Sequence, residues 1–548
     1  MTARFLAGAV LLSLWAYAQQ PSAPEAKYTI AGVVVHHATN QAIKRVRVTI
    51  FQNDHPDRRA SLNTAEDGRF TFTGVPQGKY SLSAEWRGQQ RMYEEDDQFS
   101  TGIVTGPGFD TTHIVFQFPA PTGLTVKVSD DGGEPVQQPQ VVLFHKRILA
   151  GWAQMELAGQ NFGAQGDGII RFTHLEPGTY YAAASARPWY AQNRGTPQGS
   201  GPQPESASEL DVAYPITYYS NTQDPQEATP IEVQEGNANQ LQIALHPVPA
   251  THLSVEGIGG GLDPARAGQT GTFIEAVGPG GVRFQTNLAP QVFDGGEARG
   301  ITGLAPGKYI VSFASFGPEG QQPLGTLKVN AAANDVKVSA SEILTTAVSG
   351  HIALENNTPP QGMSIWLGQP ATGQNAFCPI KQDGSFSCTM SGAQGGNVAP
   401  GQYEVRLLNT TDLYLKSVGA KGAVYSSGLL DVREGASIDL SLVAAKGLTQ
   451  VNGIAIRGGH ALSGAMILLV PRDAGHGTGI PRDQSDSDGT FTLPNVKPGR
   501  YWLLAIDHGH DLEYHNPQVL QPYLSHAQTV EIPLPGNHPV PVNVQARR

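Results

Sequence analysis

The sequence predicts an all-β protein, a tandem array of about five β-sandwich units behind an export signal. Three observations predict it: the composition, a phrase repeated five times, and period-two alternation around each copy. Gly (64) and Pro (40) make nearly a fifth of the 548 residues, which suits many short strands and turns rather than long helices. The length exceeds one ordinary core.

The phrase runs Val75-Pro76-Gln77-Gly78-Lys79-Tyr80 and Leu175-Glu176-Pro177-Gly178-Thr179-Tyr180. It returns at Leu304-Ala305-Pro306-Gly307-Lys308-Tyr309, Val398-Ala399-Pro400-Gly401-Gln402-Tyr403 and Val496-Lys497-Pro498-Gly499-Arg500-Tyr501. Successive tyrosines lie 100, 129, 94 and 98 residues apart. That period fits a sandwich and is too long for a solenoid. Asp67-Gly68, Asp167-Gly168, Asp383-Gly384 and Asp488-Gly489 precede four copies, and a degenerate Asp294-Gly295-Gly296 precedes the third.

Alternation such as Phe70-Thr71-Phe72-Thr73 follows each Asp-Gly pair and puts the apolar side chains on one face. It resumes after the Pro-Gly turn, with Tyr80, Leu82 and Ala84 on one side. Strand, turn and strand predict an antiparallel meander with one buried face. Each unit opens with an apolar strand (Thr29 to Val35 in the first) and closes with another, such as Gln240 to Leu245. No segment carries a sustained helical period.

The boundaries follow: 1–18 an export signal, then sandwiches over 25–119, 120–247, 248–342, 343–445 and 446–548. The second holds a Gly/Pro-rich loop over 187–215, the third is divergent, and the fourth holds both cysteines. Short connections predict a semi-rigid rod. In the leader, Arg4 precedes the apolar Phe5 to Trp15, and Ala16-Tyr17-Ala18 is a cleavage pattern. No later stretch reaches the ~20 apolar residues of a membrane helix. The expectation is an exported protein, periplasmic, cell-surface or extracellular, and not an integral membrane protein.

Cys378 and Cys388 flank the Gln382-Asp383-Gly384 turn, and in a three-residue hairpin positions summing to 766 face each other. The thiols then oppose directly, and an oxidising compartment favours a disulfide.

A net charge of −11 without a basic run argues against a nucleic-acid partner. No nucleophile, zinc-helix or phosphate-loop motif occurs. The densest ligand cluster is Asp507 to His515, in which His508, His510, Glu513 and His515 are candidate metal ligands; a solvated polar loop is the competing reading. Gln484-x-Asp486-x-Asp488-Gly489 resembles a calcium loop but lacks the first carboxylate and the bidentate Glu at the twelfth position, so it reads as a hairpin turn. The run Glu94-Glu95-Asp96-Asp97 reads as a solvated loop. Trp189, Tyr190, Tyr214, Tyr218 and Tyr219 bracket the long loop, where flat rings can stack on sugar faces or pack the loop onto its sandwich.

Glu66-Asp67-Gly68-Arg69-Phe70-Thr71-Phe72 with Val75 to Tyr80 resembles the carboxypeptidase regulatory-like domain. That family is a transthyretin-like (prealbumin or immunoglobulin-like) sandwich related to collagen-adhesin B-type repeats and found in secreted multidomain proteins of acidobacteria. The first and fifth units resemble it closely and the third weakly. Its repeated residues are structural, so the resemblance implies no catalytic residue and no cofactor. The leading expectation is a non-enzymatic exported binding and spacer protein of the bacterial envelope, with a polysaccharide or another envelope protein as partner. The alternatives are a carbohydrate-binding array and a metal-binding protein or hydrolase using the His-rich loop.

Overall fold

A computed structural model describes residues 27–547, apart from 164–165, 193–208, 257–269, 287–290, 295–297, 318–319, 332–334, 356–359, 391–397, 411, 473–478 and 534–539. The export signal and the middle of the long loop therefore lie outside the described residues.

Five sandwiches share one strand plan. In the first, the opening strand Lys27–His36 lies antiparallel to Arg69–Pro76, which follows the Asp-Gly turn, and parallel to the closing strand Ile114–Phe118. The same trio recurs as Gly123–Asp130 with Ile169–Thr173 and Ala238–Leu245, and as Thr251–Glu256 with Ala298–Leu304 and Val336–Ser339. It recurs again as Ala347–Leu354 with Ser385–Ser387 and Ser437–Lys446, and as Thr449–Arg457 with Thr490–Val496 and Val540–Arg547. The second sheet of each unit pairs its second strand with the tyrosine strand, as in Arg47–Gln52 with Gly78–Trp86 and Ser364–Gly368 with Gly401–Leu408. Alternating side chains meet between the sheets, where Val46, Val48, Ile50, Tyr80, Leu82 and Ala84 are buried.

This plan corrects the predicted meander. The strands on either side of the Pro-Gly turn do not pair with each other, and in the first three units they lie in different sheets, so the turn is an arch over the core rather than a hairpin. Alternation reports which face is buried and carries no information about which sheet a strand joins.

The arch explains the tyrosines. Each hydroxyl donates to the carbonyl four residues earlier: Tyr80 to Pro76 at 3.1 Å, Tyr180 to Glu176 at 2.9 Å, and Tyr309 to Ala305 at 2.9 Å. Tyr403 reaches Ala399 and Tyr501 reaches Lys497, both at 2.8 Å. All five rings are buried. The phenol thereby ties the main-chain carbonyl at the sheet-to-sheet corner to the core, joined in the first unit by the Thr105 hydroxyl on the same oxygen at 2.8 Å. Gly78, Gly178, Gly401 and Gly499 hold φ between +149° and +155°, a region that favours glycine, and the divergent third unit departs at Gly307.

A second recurrence was not singled out in the sequence. Gly32 faces Phe70, Gly350 faces Phe386 and Gly453 faces Phe491 across the first strand pair. A Cβ on Gly32 would lie 2.1 Å from the Ile114 carbonyl oxygen, and one on Gly350 would lie 2.2 Å from that of Leu440. At Gly350 the Phe386 ring, 2.7 Å from where that Cβ would stand, fills the space that the glycine leaves open.

Cys378 and Cys388 are bonded, with Cα atoms 4.1 Å apart. The predicted register holds on both sides: Ala376 faces Met390, Phe377 faces Thr389, and Ile380 bridges Phe386. The intact protein is expected to show no alkylatable thiol by mass. Reduction should lower its stability to denaturant by about 2–3 kcal/mol, because the bond closes a short loop.

One helix, Pro517–Leu524, escaped the sequence reading. Asn516 caps it by accepting from the Gln518 amide at 3.1 Å, and Pro517 opens it. Eight residues with Pro522 inside give too short a period to recognise. Leu520 and Tyr514 cover Met466, Leu468 and Val470, so that strand is buried on both faces.

The units do not form a rod. The second unit touches every other one. Its Arg91–Glu176 pair (3.0 Å) joins it to the first, and Phe144 meets Phe284 of the third edge-on at 5.3 Å. Met155 donates to the Ala371 carbonyl of the fourth at 3.2 Å, and Trp152 stacks on His515 of the fifth at 4.2 Å. The fifth unit also docks on the first. Linker length constrains only neighbours, and joints between distant units are set by side chains scattered over the chain.

Candidate functional site

Two regions gather the side chains with chemistry: the loop of the second unit and the joint between the first and fifth units. At the loop, Arg187-Pro188 leaves the tyrosine sheet and delivers Trp189 and Tyr190, whose rings meet edge to face at 5.6 Å. Trp189 is 77% exposed, a large ring left wet. The other three predicted aromatics do not share that surface. Tyr214 packs in the core of the second unit, where burial pushes its phenol up, and Tyr219 lies against that core. Tyr218 is buried where the second and third units meet, donating to the Val277 carbonyl at 3.3 Å. Sequence reasoning grouped the five because all flank one loop. The structure leaves Trp189, with Tyr190 beside it, as the part presented to solvent.

At the joint, the His-rich segment is dispersed rather than convergent, which corrects the predicted ligand set. His508 points outward beside Asp507 at 3.7 Å. His510 reaches across to Asp96 of the first unit at 3.2 Å. Glu513 accepts from Asn516 Nδ2 at 3.3 Å, and His515 lies flat on Trp152. Among the described residues, no three His, Cys, Asp or Glu side chains are placed to hold a metal ion. The cluster is a seam between units.

The acidic run is solvated only in its first half, where Glu94 and Glu95 are exposed. Asp96 and Asp97 are largely covered by Arg482, which is 5% exposed, pairs with Asp96 and lies 3.9 Å from Asp97. Its guanidinium also sits over Phe99 at 4.7 Å. Burial works to raise the Asp96 carboxyl, and the His510 and Arg482 contacts more than offset it and hold it below the usual range. The contact with Asp96 raises the His510 imidazole above its usual value, against burial.

Beside this pair, main chain meets main chain. Ser487 N donates to the Gly102 carbonyl at 2.9 Å, Val104 N to Ser487 Oγ at 2.8 Å, and Gly102 N to Asp486 Oδ1 at 2.9 Å. Gln484 donates to Thr101 Oγ1 at 2.9 Å. The 484–489 segment is the expected hairpin turn, with Gly489 N donating to the Asp486 carbonyl, yet its side chains face the first unit. Lys79 pairs with Asp486. No local signal in the sequence could have joined positions nearly 390 residues apart.

The corner tyrosine, the Asp-Gly turn and the opening-strand glycine all sit within one stretch of the first unit, and the family model for the carboxypeptidase regulatory-like domain matches residues 29–112. The first unit is similar to the carboxypeptidase regulatory-like domain. The fifth unit repeats this domain's strand trio and its corner, and the other units vary them. No curated protein matches the chain in sequence. Among solved structures, the minor pilin of Streptococcus agalactiae is similar at 13% identity and a TM-score of 0.22, covering 40% of this chain and 97% of the pilin. The Bacillus anthracis TIE protein is similar at 10% identity and a TM-score of 0.17, covering 96% of this chain and 75% of that one. The major pilin subunit of Bacillus cereus is similar at 8% identity and a TM-score of 0.13, covering 95% and 99%. Likeness this low carries nothing about function. Among the described residues no helix is long and apolar enough to cross a membrane.

Proposed function

We propose that the chain is a non-enzymatic exported binding protein of the bacterial envelope, with the loop of its second unit as the contact surface for polysaccharide. The observation that carries this reading is the exposed Trp189 ring, the most exposed large apolar side chain among the described residues, set edge-on against Tyr190. Sugar rings offer C–H faces that pack on an indole without a large ordering cost. The corner tyrosines serve the fold, and two of the histidines that suggested metal chemistry, His510 and His515, are spent on contacts between units. Tyr214 and Tyr218 are buried and Tyr219 packs against the core of the second unit, so none of the three forms part of that surface.

Affinity electrophoresis against a polysaccharide panel tests the reading. At least one polymer should retard the native chain, and Trp189→Ala should weaken that retardation about tenfold or more, equivalent to the loss of one stacking contact and its buried area. Retardation of the native and Trp189→Ala chains to the same extent would point to a different surface.

A further inference from the structure

We propose that the joint between the first and fifth units is a proton-linked clasp, which tightens as the surroundings acidify and loosens toward neutral pH. The geometry is a heterologous interface built on charge. Asp486 is buried against the first unit, where it accepts from Gly102 N and faces Lys79. Asp483 lies three residues earlier on the same segment, held by the Thr492 amide at 2.6 Å. Across the seam, Arg482 and His510 face Asp96, with Asp97 beside Arg482 and Asp511 beside His510.

The direction follows from which groups bind protons more tightly when the units meet. Burial raises the Asp486 carboxyl from 3.8 to about 6, outweighing the opposing Lys79 and Gly102 contacts, and burial also raises Asp483. A raised carboxyl stabilises the closed form fully below its free value, and that contribution is lost as pH rises through about 6. His510, raised by Asp96, acts with the same sign, and its contribution is lost at still higher pH. Asp96 has the opposite sign but is ionised in both forms above about pH 5, so it does not reverse the trend.

The test is hydrogen exchange on the full chain at a series of pH values, corrected for intrinsic rates. The amides of Gly102, Val104 and Ser487 bond across the joint and report its opening. Their protection should fall about tenfold between pH 4.5 and 6, as expected for a carboxyl shifted by this amount, relative to amides inside the tyrosine strands. Asp486→Asn should remove most of that fall, leaving the part that belongs to Asp483 and the change above pH 6.5 that belongs to His510. Lys79→Gln removes the opposing cation, so the fall should continue beyond pH 6; it keeps the test decisive where Asp486→Asn fails to fold. Protection that stays level from pH 4.5 to 7 in the native chain, or falls equally in Asp486→Asn, overturns the proposal.

Discussion

Replacing Arg482 with methionine is expected to remove about 3–5 kcal/mol from the joint between the first and fifth units, because it leaves two covered carboxylates without their cation. Arg482 is nearly inaccessible, holds Asp96 directly, and lies over the Phe99 and Tyr514 rings at 4.7 and 5.8 Å. Each sandwich keeps its own core, so far-ultraviolet circular dichroism should change little. Solution scattering should instead show a larger radius of gyration, and the Gly102 and Val104 amides should lose protection. Replacing Asp96 and Asp97 with asparagine in the same chain should recover much of the loss, since the cost arises from stranded charge rather than from shape. Unchanged scattering and exchange in the single variant would show that other contacts hold the units together.

The Gly350→Val substitution tests the fold itself, and its expected cost is about 3 kcal/mol or more, at the upper end for overfilling a packed site. The first added carbon would meet the Leu440 carbonyl oxygen at 2.2 Å and the Phe386 ring at 2.7 Å. Both neighbours are fixed: the carbonyl belongs to the parallel closing strand and the ring to the core. Relief therefore requires the opening strand to separate from one of its partners. Chemical denaturation followed through the fourth unit should show the loss. The same change at Gly419, a strand glycine of the same unit whose Cβ would meet nothing closer than 3.5 Å, isolates the effect of contact from that of backbone freedom.

Much of this architecture was legible in the residues. The five Gly-Xaa-Tyr phrases marked equivalent corners because one tyrosine hydroxyl serves one corner carbonyl in every copy. The cysteine register was legible too, because a short hairpin fixes which positions face each other. Sheet membership was not, since an arch and a hairpin impose the same alternation on the strands they join. The histidines were noticed for the right reason and given the wrong task. His510 and His515 stand out because polar rings concentrate where surfaces must be both apolar and specific, and a seam between units meets that description as well as a metal site does. Trp189 and Tyr218 looked alike on paper, and only the neighbouring unit separates an exposed ring from a covered one.

The second unit's contact with all four others constrains how such an array can grow. Tandem repeats usually gain or lose a copy freely, because each copy recognises only the next. Here an extra copy in the middle would carry Asp486 away from Lys79 and His515 away from Trp152. The order of the copies is therefore written into the outer faces of particular units, and their divergence from one another is what keeps each in its place.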